Sequence, residues 1–418
     1  MDHNGSQGRD APQRVALVHD FLVSVRGADR VFLEMCNLWP EADVFTPVYD
    51  ETGTEGMFAH RKIQTSFLQR LRPNARTFRA LLPLYPAAIE SFDLSGYDVV
   101  ISSSSAWAHA VICGDETTHV CYCHNPFRYA WNERHRTLAE RRDPLSRAAL
   151  RGLFRRWREW DWIAAQRVDR YVTNSRVTQA RITSYFGRES HIVYPPVATE
   201  RFHPGPVGEH YLVLSELVSH KRIDTAISAF NALGLPLVVA GDGPDRRRLS
   251  RLAGPTIKFT GRVSDAHAAQ LMASCRAFVV TGMEEFGIAA VEAQAAGRPV
   301  IARAGGGLLE TVVEGSTGCF WDGGEAELAN AVWMAVRMGI LPTEEGHQKL
   351  DLAARLGIES VPNRSVWQPA LTRALTSGAA VYDTLFVELA AQRSLPLATF
   401  DKNVLKKFSD IAHRPRAL

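Results

Sequence analysis

The chain has 418 residues, an apolar fraction of 46% and a formal net charge of +3 at pH 7. Its length predicts two or three domains, and its nearly balanced charge gives no reason to expect a nucleic-acid partner. No apolar run is long enough to span a membrane, and no signal peptide precedes the first predicted strand. The six cysteines are widely spread and lack the spacing of a disulfide framework, so we expect a cytoplasmic protein.

Residues 1–13 are polar, and we expect a disordered tail. Short apolar runs then alternate with helical patterns as far as two proline-rich breaks, Pro195-Pro196 and Pro204-Gly205-Pro206, where we place a linker. The strands predicted in this part are residues 14–18, 98–102, 119–123, 171–173 and 191–194, with a helix over residues 31–38.

The alternation restarts after the linker. The strands predicted there are residues 211–214, 236–240, 256–259, 277–280 and 299–302. Alternation on both sides of a linker predicts an α/β protein with two doubly wound, Rossmann-like parallel-sheet domains. Ligands of such sheets bind at the carboxyl ends of the strands, so the expected site is the cleft between the two domains.

The most informative stretch follows the predicted strand 277–280. Glu284 and Glu292 flank a strand-to-helix turn that contains Gly287. Such a turn places free backbone N–H groups and the positive end of a helix beside two carboxylate acceptors. This combination suits a ligand that is anionic at one end and rich in hydroxyl groups at the other, as a nucleotide-sugar is.

Three other strand ends carry basic residues or glycines that could also contact such a ligand. Lys221 and Arg222 follow the first strand of the second half, and they form either an anion site or a solvated basic turn. Gly241 and Gly243 follow the next strand, where they permit a close backbone approach or form an ordinary turn. The glycines of residues 305–307 open a helix, which favours phosphate binding. Their shared place at strand ends supports one ligand site.

In this order, these motifs resemble the donor-binding half of retaining glycosyltransferases of family 4, which have the GT-B fold. Residues 261–263 belong to the same series, and residues 26–31, 120–129 and 173–176 resemble the family's N-terminal half. The resemblance covers roughly residues 14–337. It implies an acceptor-side domain over residues 14–205 and a nucleotide-sugar-binding domain over residues 206–338.

The resemblance implies roles for individual residues. Lys221 would hold the donor diphosphate, Glu292 the ribose hydroxyls and Glu284 the sugar hydroxyls, while Gly27 would let the backbone approach the phosphates. His124 would contact the transferred sugar, so the implied catalytic residues are His124, Glu284 and Lys221. The other implied donor-binding residues are Arg222, Gly243, Val263, Phe286, Gly287 and Ile288.

The implied reaction is hexose transfer to a saccharide or lipid-linked saccharide in cell-surface polysaccharide synthesis, with retention. We prefer GDP-mannose as donor, with UDP-glucose as the alternative. We expect no cofactor and no metal, because no Asp-x-Asp motif stands out and Lys221 can replace a divalent cation. Cys121, Cys123 and His124 could suggest a metal site, but buried thiols explain the two cysteines better.

One position departs from the family. The residue five places before Lys221 is usually arginine and here is Glu216. A carboxylate beside a diphosphate weakens binding, so either Arg222 compensates or Glu216 points elsewhere. A nucleotide-sugar-binding protein without turnover is therefore an alternative function.

Residues Arg134 to Arg158 concentrate nine arginines against Glu140 and Asp143. They form either a solvated helix packed by its apolar residues or an interfacial helix that touches anionic lipid. The second interpretation implies peripheral contact with the inner face of the plasma membrane.

Residues 339–418 depart from the glycosyltransferase pattern and resemble the second half of a PIN-domain ribonuclease of the VapC type. Asp383 and Asp401 match its last two acidic metal-binding positions, while the earlier acidic positions would lie in the half that is missing. We therefore expect an inactive appendage of a chimaeric chain. The alternative is a Mg²⁺-dependent ribonuclease that acts through this segment.

Overall fold

The computed structural model describes residues 13–141, 143–324, 327–332, 367–377, 381–398 and 402–413. The chain divides into two compact units, residues 1–342 and 343–418. The first unit contains two parallel β-sheets, each flanked by helices.

The first sheet has seven strands in the order β3-β2-β1-β4-β5-β6-β7. Its strands are β1 (Val15–His19), β2 (Asp43–Thr46), β3 (Ile63–Thr65), β4 (Val99–Ser104), β5 (Thr118–Cys123), β6 (Arg170–Thr173) and β7 (Ser190–Ile192). All neighbouring strands run parallel. The order reverses between β1 and β4, and the loops after these strands diverge there to leave a crevice.

Helices connect these strands. They are α1 (Gly27–Leu38), α2 (Tyr85–Glu90), α3 (Arg134–Ala139), α4 (Pro144–Ala165) and α5 (Arg176–Phe186), with short 3-10 helices at Phe67–Leu71, Phe78–Leu84 and Ala108–Ala110. The long helix α4 begins at a proline and is capped by Asp143, whose carboxylate accepts from the Ser146 N–H at 2.6 Å. Both features favour a helix start at this point.

The Arg-rich segment packs through its apolar side. Phe154 and Trp157 of α4 are buried against Trp107, whose ring centroid lies 5.4 Å from that of Trp157. Arg151 and Arg155 face solvent. Phe154, Trp157 and the partly buried Leu150 and Leu153 therefore belong to the core of the first sheet domain, whereas Leu145 at the start of α4 is exposed.

The second sheet has six strands in the order β10-β9-β8-β11-β12-β13. Its strands are β8 (Tyr211–Leu214), β9 (Leu237–Ala240), β10 (Ile257–Gly261), β11 (Phe278–Val280), β12 (Val300–Arg303) and β13 (Gly318–Trp321). Its helices are α6 (Ile223–Leu233), α7 (Arg246–Leu252), α8 (Asp265–Ser274), α9 (Ile288–Ala295) and α10 (Leu308–Thr311), with 3-10 helices at Thr199–Arg201 and Ser219–Lys221. Residues 327–332 are also helical.

The strand order of the second sheet reverses between β8 and β11, which pair directly through Leu212 and Phe278. These two sheets confirm the predicted α/β class with two doubly wound parallel-sheet domains. Within the described ranges, no helix combines the length and the apolar character needed to cross a bilayer.

The second unit is small. Its elements are α11 (Trp367–Ser377), α12 (Val381–Arg393), β14 (Leu397–Ala398), α13 (Lys402–Lys407) and β15 (Ala412–His413). The two strands pair in parallel, and Val387, Val404 and Phe408 form its buried centre. Asp383 lies in α12, but its side chain and the whole of Asp401 lie outside the described residues, so the PIN-like metal site stays a prediction.

Candidate active site

The loops that follow β8 and β11 bring Lys221 and Glu284 together. Both loops leave the sheet at its reversal point, where a doubly wound domain has its crevice. The Lys221 ammonium donates to both carboxylate oxygens of Glu284 at 2.7 Å, and about a fifth of each side chain is exposed. Two residues predicted to bind one ligand therefore form a direct ion pair.

The backbone around Lys221 is held by the start of the β11 turn. The Thr281 hydroxyl donates to the Lys221 carbonyl at 2.7 Å. A Cβ atom at Gly282 would lie 2.9 Å from the Lys221 Cα. Glycine at this position therefore permits the close approach that places the ammonium over the turn.

The glycine loop of residues 305–307 packs on the same turn. The Gly307 N–H donates to the Glu284 carbonyl at 2.8 Å, and a Cβ at Gly306 would overlap that carbonyl oxygen. Gly287 has a φ of 94°, in a region that side chains disfavour, and a Cβ there would lie 2.8 Å from Leu308 Cδ2. The turn between Glu284 and Gly287 is therefore rigidly packed.

A second glycine turn lies beside the loop that carries Lys221. The Leu217 N–H donates to the Asp242 carbonyl at 2.9 Å. A Cβ at Gly243 would overlap the Leu217 carbonyl oxygen, so this glycine is needed for the contact between the two loops.

Glu285, next to Glu284, receives two arginines from the first sheet domain. The Arg181 guanidinium donates to Oε1 at 3.2 Å, and the Arg128 guanidinium donates to Oε2 at 3.5 Å. Burial alone would raise the pKa of this carboxyl, but Arg128, Lys221 and Arg181 together lower it below its ordinary value. Glu285 is therefore ionised, and it links the two sheet domains.

Arg128 makes a shorter contact with His220. Its Nη1 donates to His220 Nε2 at 2.8 Å, so that nitrogen carries a lone pair and the proton lies on Nδ1. Burial, together with Arg128 and Lys221, lowers the pKa of His220 to about 3. The imidazole is therefore neutral at physiological pH and adds no charge beside Lys221.

His124 follows β5 and ends a buried hydrogen-bonded chain. Asp29 accepts from His19 Nε2 at 3.0 Å, and His19 Nδ1 lies 3.0 Å from Ser103 Oγ. Ser103 Oγ in turn lies 2.9 Å from His124 Nε2. The chain therefore ties the His124 ring to the Asp29 carboxylate through His19 and Ser103.

Burial is the main cause that lowers the pKa of His124 to about 4, and the neighbouring His19 adds to it. His124 is therefore a neutral imidazole at physiological pH, held just after β5 by a hydrogen-bonded chain that reaches Asp29 in α1. A neutral ring of this kind suits hydrogen bonding to a sugar hydroxyl better than proton transfer at neutral pH.

Gly27 is the first residue of α1. A Cβ at Gly27 would lie 3.2 Å from Ile288 Cδ1 of the second sheet domain. Ile288, the first residue of α9, also packs against the apolar cluster around Leu17 and Phe32. The close approach seen at Gly27 is thus to an isoleucine side chain, while its predicted approach to phosphates stays a prediction.

Glu292 lies in α9, half-buried. Its carboxylate accepts no hydrogen bond from any described residue. Burial raises its pKa, although Arg30 and Arg201 act in the opposite direction. These two arginines both pair with Asp265, at 2.7 and 2.9 Å. Glu292 therefore keeps free acceptor capacity, as a predicted ribose ligand requires.

The remaining predicted donor residues lie around this group. Phe286 packs against the Tyr194 ring, with centroids 5.6 Å apart, and Val263 packs partly buried on the core of the second sheet domain. The Arg222 side chain lies along α6, where it donates to the Thr225 hydroxyl at 3.2 Å and lies 3.6 Å from the Asp224 carboxylate.

Glu216, at the position where the family has arginine, pairs with Arg79 of the first sheet domain at 2.9 Å. The alternative that Glu216 points elsewhere therefore describes this structure better than compensation by Arg222, which is engaged on its own helix.

Sequence reasoning missed Glu285, Arg128, Arg181 and Arg79 as members of the site. Two signals were present in the sequence. Glu285 adjoins Glu284, and Arg128 stands four residues after His124 in the segment that resembled the family. Arg79 carried no such signal.

The cysteines near His124 lie in the core of the first sheet domain. Cys121 and Cys123 are buried in an apolar cluster, and burial raises the pKa of both thiols. Across the described ranges, no group of three or more His, Cys, Asp or Glu side chains is arranged to hold a metal ion.

Two family models match this chain. Residues 25–201 match "Glycosyltransferase Family 4" and residues 206–339 match "Glycosyl transferases group 1". The chain therefore contains a family 4 domain followed by a group 1 domain of the glycosyltransferases, on a GT-B fold.

Among curated relatives, a GDP-mannose-dependent alpha-(1-6)-phosphatidylinositol monomannoside mannosyltransferase of Mycobacterium tuberculosis is 34% identical over 192 residues, which covers 38% of this chain and 50% of the relative. A GDP-mannose-dependent alpha-mannosyltransferase of Corynebacterium glutamicum is 32% identical over 140 residues, covering 30% of this chain and 34% of the relative. The chain thus spans about half the length of the first relative and less of the second.

Solved structures share the fold. The sucrose-phosphate synthase of Thermosynechococcus elongatus superposes with a TM-score of 0.60 at 18% identity, covering 78% of this chain and 90% of the other. The Anabaena protein Alr3699/HepE in complex with UDP-glucose superposes with a TM-score of 0.58 at 18% identity, covering 82% and 95%. At this identity the likeness establishes the GT-B architecture and no more.

Proposed function

We propose that the protein is a hexosyltransferase that moves mannose or glucose from a nucleotide-diphosphate sugar to a saccharide or lipid-linked saccharide in cell-surface polysaccharide synthesis. The observation that carries this proposal is the pairing of Lys221 with Glu284 at the reversal point of the second sheet. There a cation for phosphate and an acceptor for hydroxyl groups stand side by side.

In the proposed reaction, the bond between sugar C1 and the β-phosphate oxygen breaks, and its electron pair stays on that oxygen. An acceptor hydroxyl oxygen bonds to C1 and releases its proton to the departing diphosphate. Lys221 would stabilise the negative charge that grows on the leaving group, because a fixed charge in a partly buried site needs no reorganisation during the reaction.

We propose that configuration is retained, with attack on the face that the leaving group vacates. The two carboxylates nearest to Lys221 are both ion-paired: Glu284 with Lys221, and Glu285 with Arg128 and Arg181. Carboxylates held in this way are poor nucleophiles, which supports a mechanism without a covalent glycosyl-enzyme.

We prefer GDP-mannose as the donor, since several relatives are named as GDP-mannose-dependent; UDP-glucose is the alternative. The test is turnover of a panel of nucleotide-sugars by the purified chain, with and without membrane extract, and with and without EDTA. We expect GDP-mannose turnover that membrane extract stimulates and EDTA leaves unchanged. Binding without turnover of any donor would instead support the nucleotide-sugar-binding alternative.

We also propose peripheral contact with the inner face of the plasma membrane through the exposed arginines of α4. Arg151, Arg155 and Arg156 face solvent, while the apolar residues between them pack inward. The contact of these arginines would therefore be electrostatic, with anionic lipid headgroups.

A further inference from the structure

We propose that Arg128 is the second cation of the leaving-group site, supplied by the first sheet domain in place of the family arginine that Glu216 replaces. This inference rests on the proposed function. It concerns a residue to which the resemblance gave no role.

Position 216 cannot supply the charge. Its side chain is a carboxylate, and it is already paired with Arg79 at 2.9 Å. Arg222 is held by Thr225 and Asp224 on α6. A diphosphate at Lys221 would therefore lack a second cation from the loop after β8, although it carries charge on both phosphates.

Arg128 is held next to Lys221 by two separate contacts. Its Nη1 donates to the imidazole of His220, the residue immediately before Lys221, at 2.8 Å. Its Nη2 reaches Glu285, the residue immediately after Glu284, at 3.5 Å. Consecutive glutamates of one turn therefore hold two cations, Lys221 and Arg128, from opposite sides of the cleft.

Glu285 has two arginine partners, and its contact with Arg128 is the longer of the two. Arg128 can therefore exchange this contact for one with a phosphate. Arg181 donates to the other oxygen of Glu285 at 3.2 Å and to the Asn125 amide oxygen at 2.6 Å. If Arg128 moves to a phosphate, Arg181 still pairs with Glu285, so no buried carboxylate is left without a partner. The His220 ring is neutral, since its pKa lies far below neutrality, and it therefore does not repel the Arg128 guanidinium.

Arg128 in this position would donate to the β-phosphate, which carries the leaving oxygen. A guanidinium can donate two parallel hydrogen bonds to a phosphate, so it would orient the leaving group as well as neutralise it. It would act together with Lys221 on the charge that develops as the C1–O bond breaks.

The test compares the wild-type protein with R128Q and R128K for GDP and GMP binding by calorimetry, and for turnover of GDP-mannose. UDP, UMP and UDP-glucose serve if the wild type prefers uridine donors. The matched control is R167Q, which removes the same charge from a comparably exposed arginine–glutamate pair within the first sheet domain, Arg167 with Glu90 at 2.8 Å. Thermal melting of each variant reports loss of stability.

We expect R128Q to lower kcat/KM by about 10²-fold. It should weaken GDP binding by about tenfold while changing GMP binding by less than about threefold, because only GDP carries the β-phosphate. R128K should recover part of both, and R167Q should change neither.

If the wild type binds and turns over a nucleotide-sugar but R128Q keeps the wild-type preference for GDP over GMP and the wild-type turnover, the role of Arg128 is refuted and the proposed function stands. If R128Q weakens GDP and GMP equally, Arg128 does not contact the β-phosphate, and the inference is also wrong. If the wild type binds no nucleotide, the proposed function itself fails.

Discussion

Replacing Lys221 with alanine should lower kcat/KM for donor turnover by about 10²-fold or more. The Lys221 side chain is about one-fifth exposed, and its ammonium is fixed by two 2.7 Å contacts with Glu284. Loss of a preorganised charged donor to a leaving group costs on the order of 3 kcal/mol. Since about 1.4 kcal/mol corresponds to a factor of ten in rate, this cost gives the stated loss.

The same substitution should also destabilise the fold, and the two effects can be separated. Without Lys221, the half-buried Glu284 carboxylate loses its charged partner, which costs about 1–3 kcal/mol of unfolding free energy. The double variant K221A/E284Q removes that unpaired charge. We expect it to recover part of the stability but none of the activity.

The measurements are steady-state kinetics with the donor that the wild type prefers, and urea unfolding of the wild type and both variants. Kinetics would be measured where all three proteins are folded. A K221A variant that keeps kcat/KM within threefold of the wild type would refute the assignment of Lys221 to the leaving group. Recovery of activity in the double variant would show that the loss came from the unpaired glutamate.

Four further predictions concern Glu292, the exposed arginines of α4, Asp383 and His119. E292A should raise the KM for the donor about tenfold with little change in kcat, because a ribose contact is equal in ground and transition states; a loss confined to kcat would contradict this role. At low salt, the protein should co-sediment with anionic vesicles more than with neutral ones, and replacing Arg151, Arg155 and Arg156 with glutamine should weaken binding by up to about 1 kcal/mol each; equal co-sedimentation would exclude the contact. The purified chain should not cleave RNA with Mg²⁺ or Mn²⁺, and cleavage abolished by Asp383→Asn would show a working nuclease. Burial lowers the pKa of His119 to about 3, so the unfolded state takes up its proton first as the pH falls; unfolding free energy should drop by about 2 kcal/mol between pH 7.5 and 5 from this residue alone, and H119Q should lose that part of the pH dependence.

The buried strands were predictable because each is a short apolar run. β8 spans the predicted residues 211–214, β11 begins one residue later than predicted, and β12 is shifted by one residue at both ends. Strands that helices cover on both faces need apolar side chains at every position, so the signal does not depend on alternation.

Three strands of the two large sheets were not predicted. β3 (Ile63–Thr65) and β13 (Gly318–Trp321) lie at sheet edges, where partial exposure removes the continuous apolar run. β2 (Asp43–Thr46) lies inside the first sheet but offers only two apolar residues, Val44 and Phe45. The parallel hydrogen bonds to its two neighbours, and not its composition, identify it as a strand.

The meeting of Lys221 and Glu284 followed from topology. Each was assigned to the end of a strand, and strand ends of a doubly wound sheet share one edge. The ion pair between them was not predicted, because the direction of two side chains depends on packing at Thr281 and Gly282. The pairing of Glu216 with Arg79 was still less accessible, since it joins residues 137 positions apart in two different domains.

The charges of the cleft indicate how donor and product would be distinguished under the proposed function. Lys221, Arg128 and Arg181 carry three positive charges, and Glu284 and Glu285 carry two negative ones, so the group has a net charge of +1. A nucleoside diphosphate brings about two negative charges or more, so it would compete with Glu284 for the Lys221 ammonium. With an intact donor, the sugar hydroxyls give Glu284 new hydrogen-bond donors, so the exchange leaves no carboxylate unpaired. After transfer, the sugar is gone and Glu284 competes with the diphosphate for Lys221. The ion pair with which the donor competes would therefore favour release of the product.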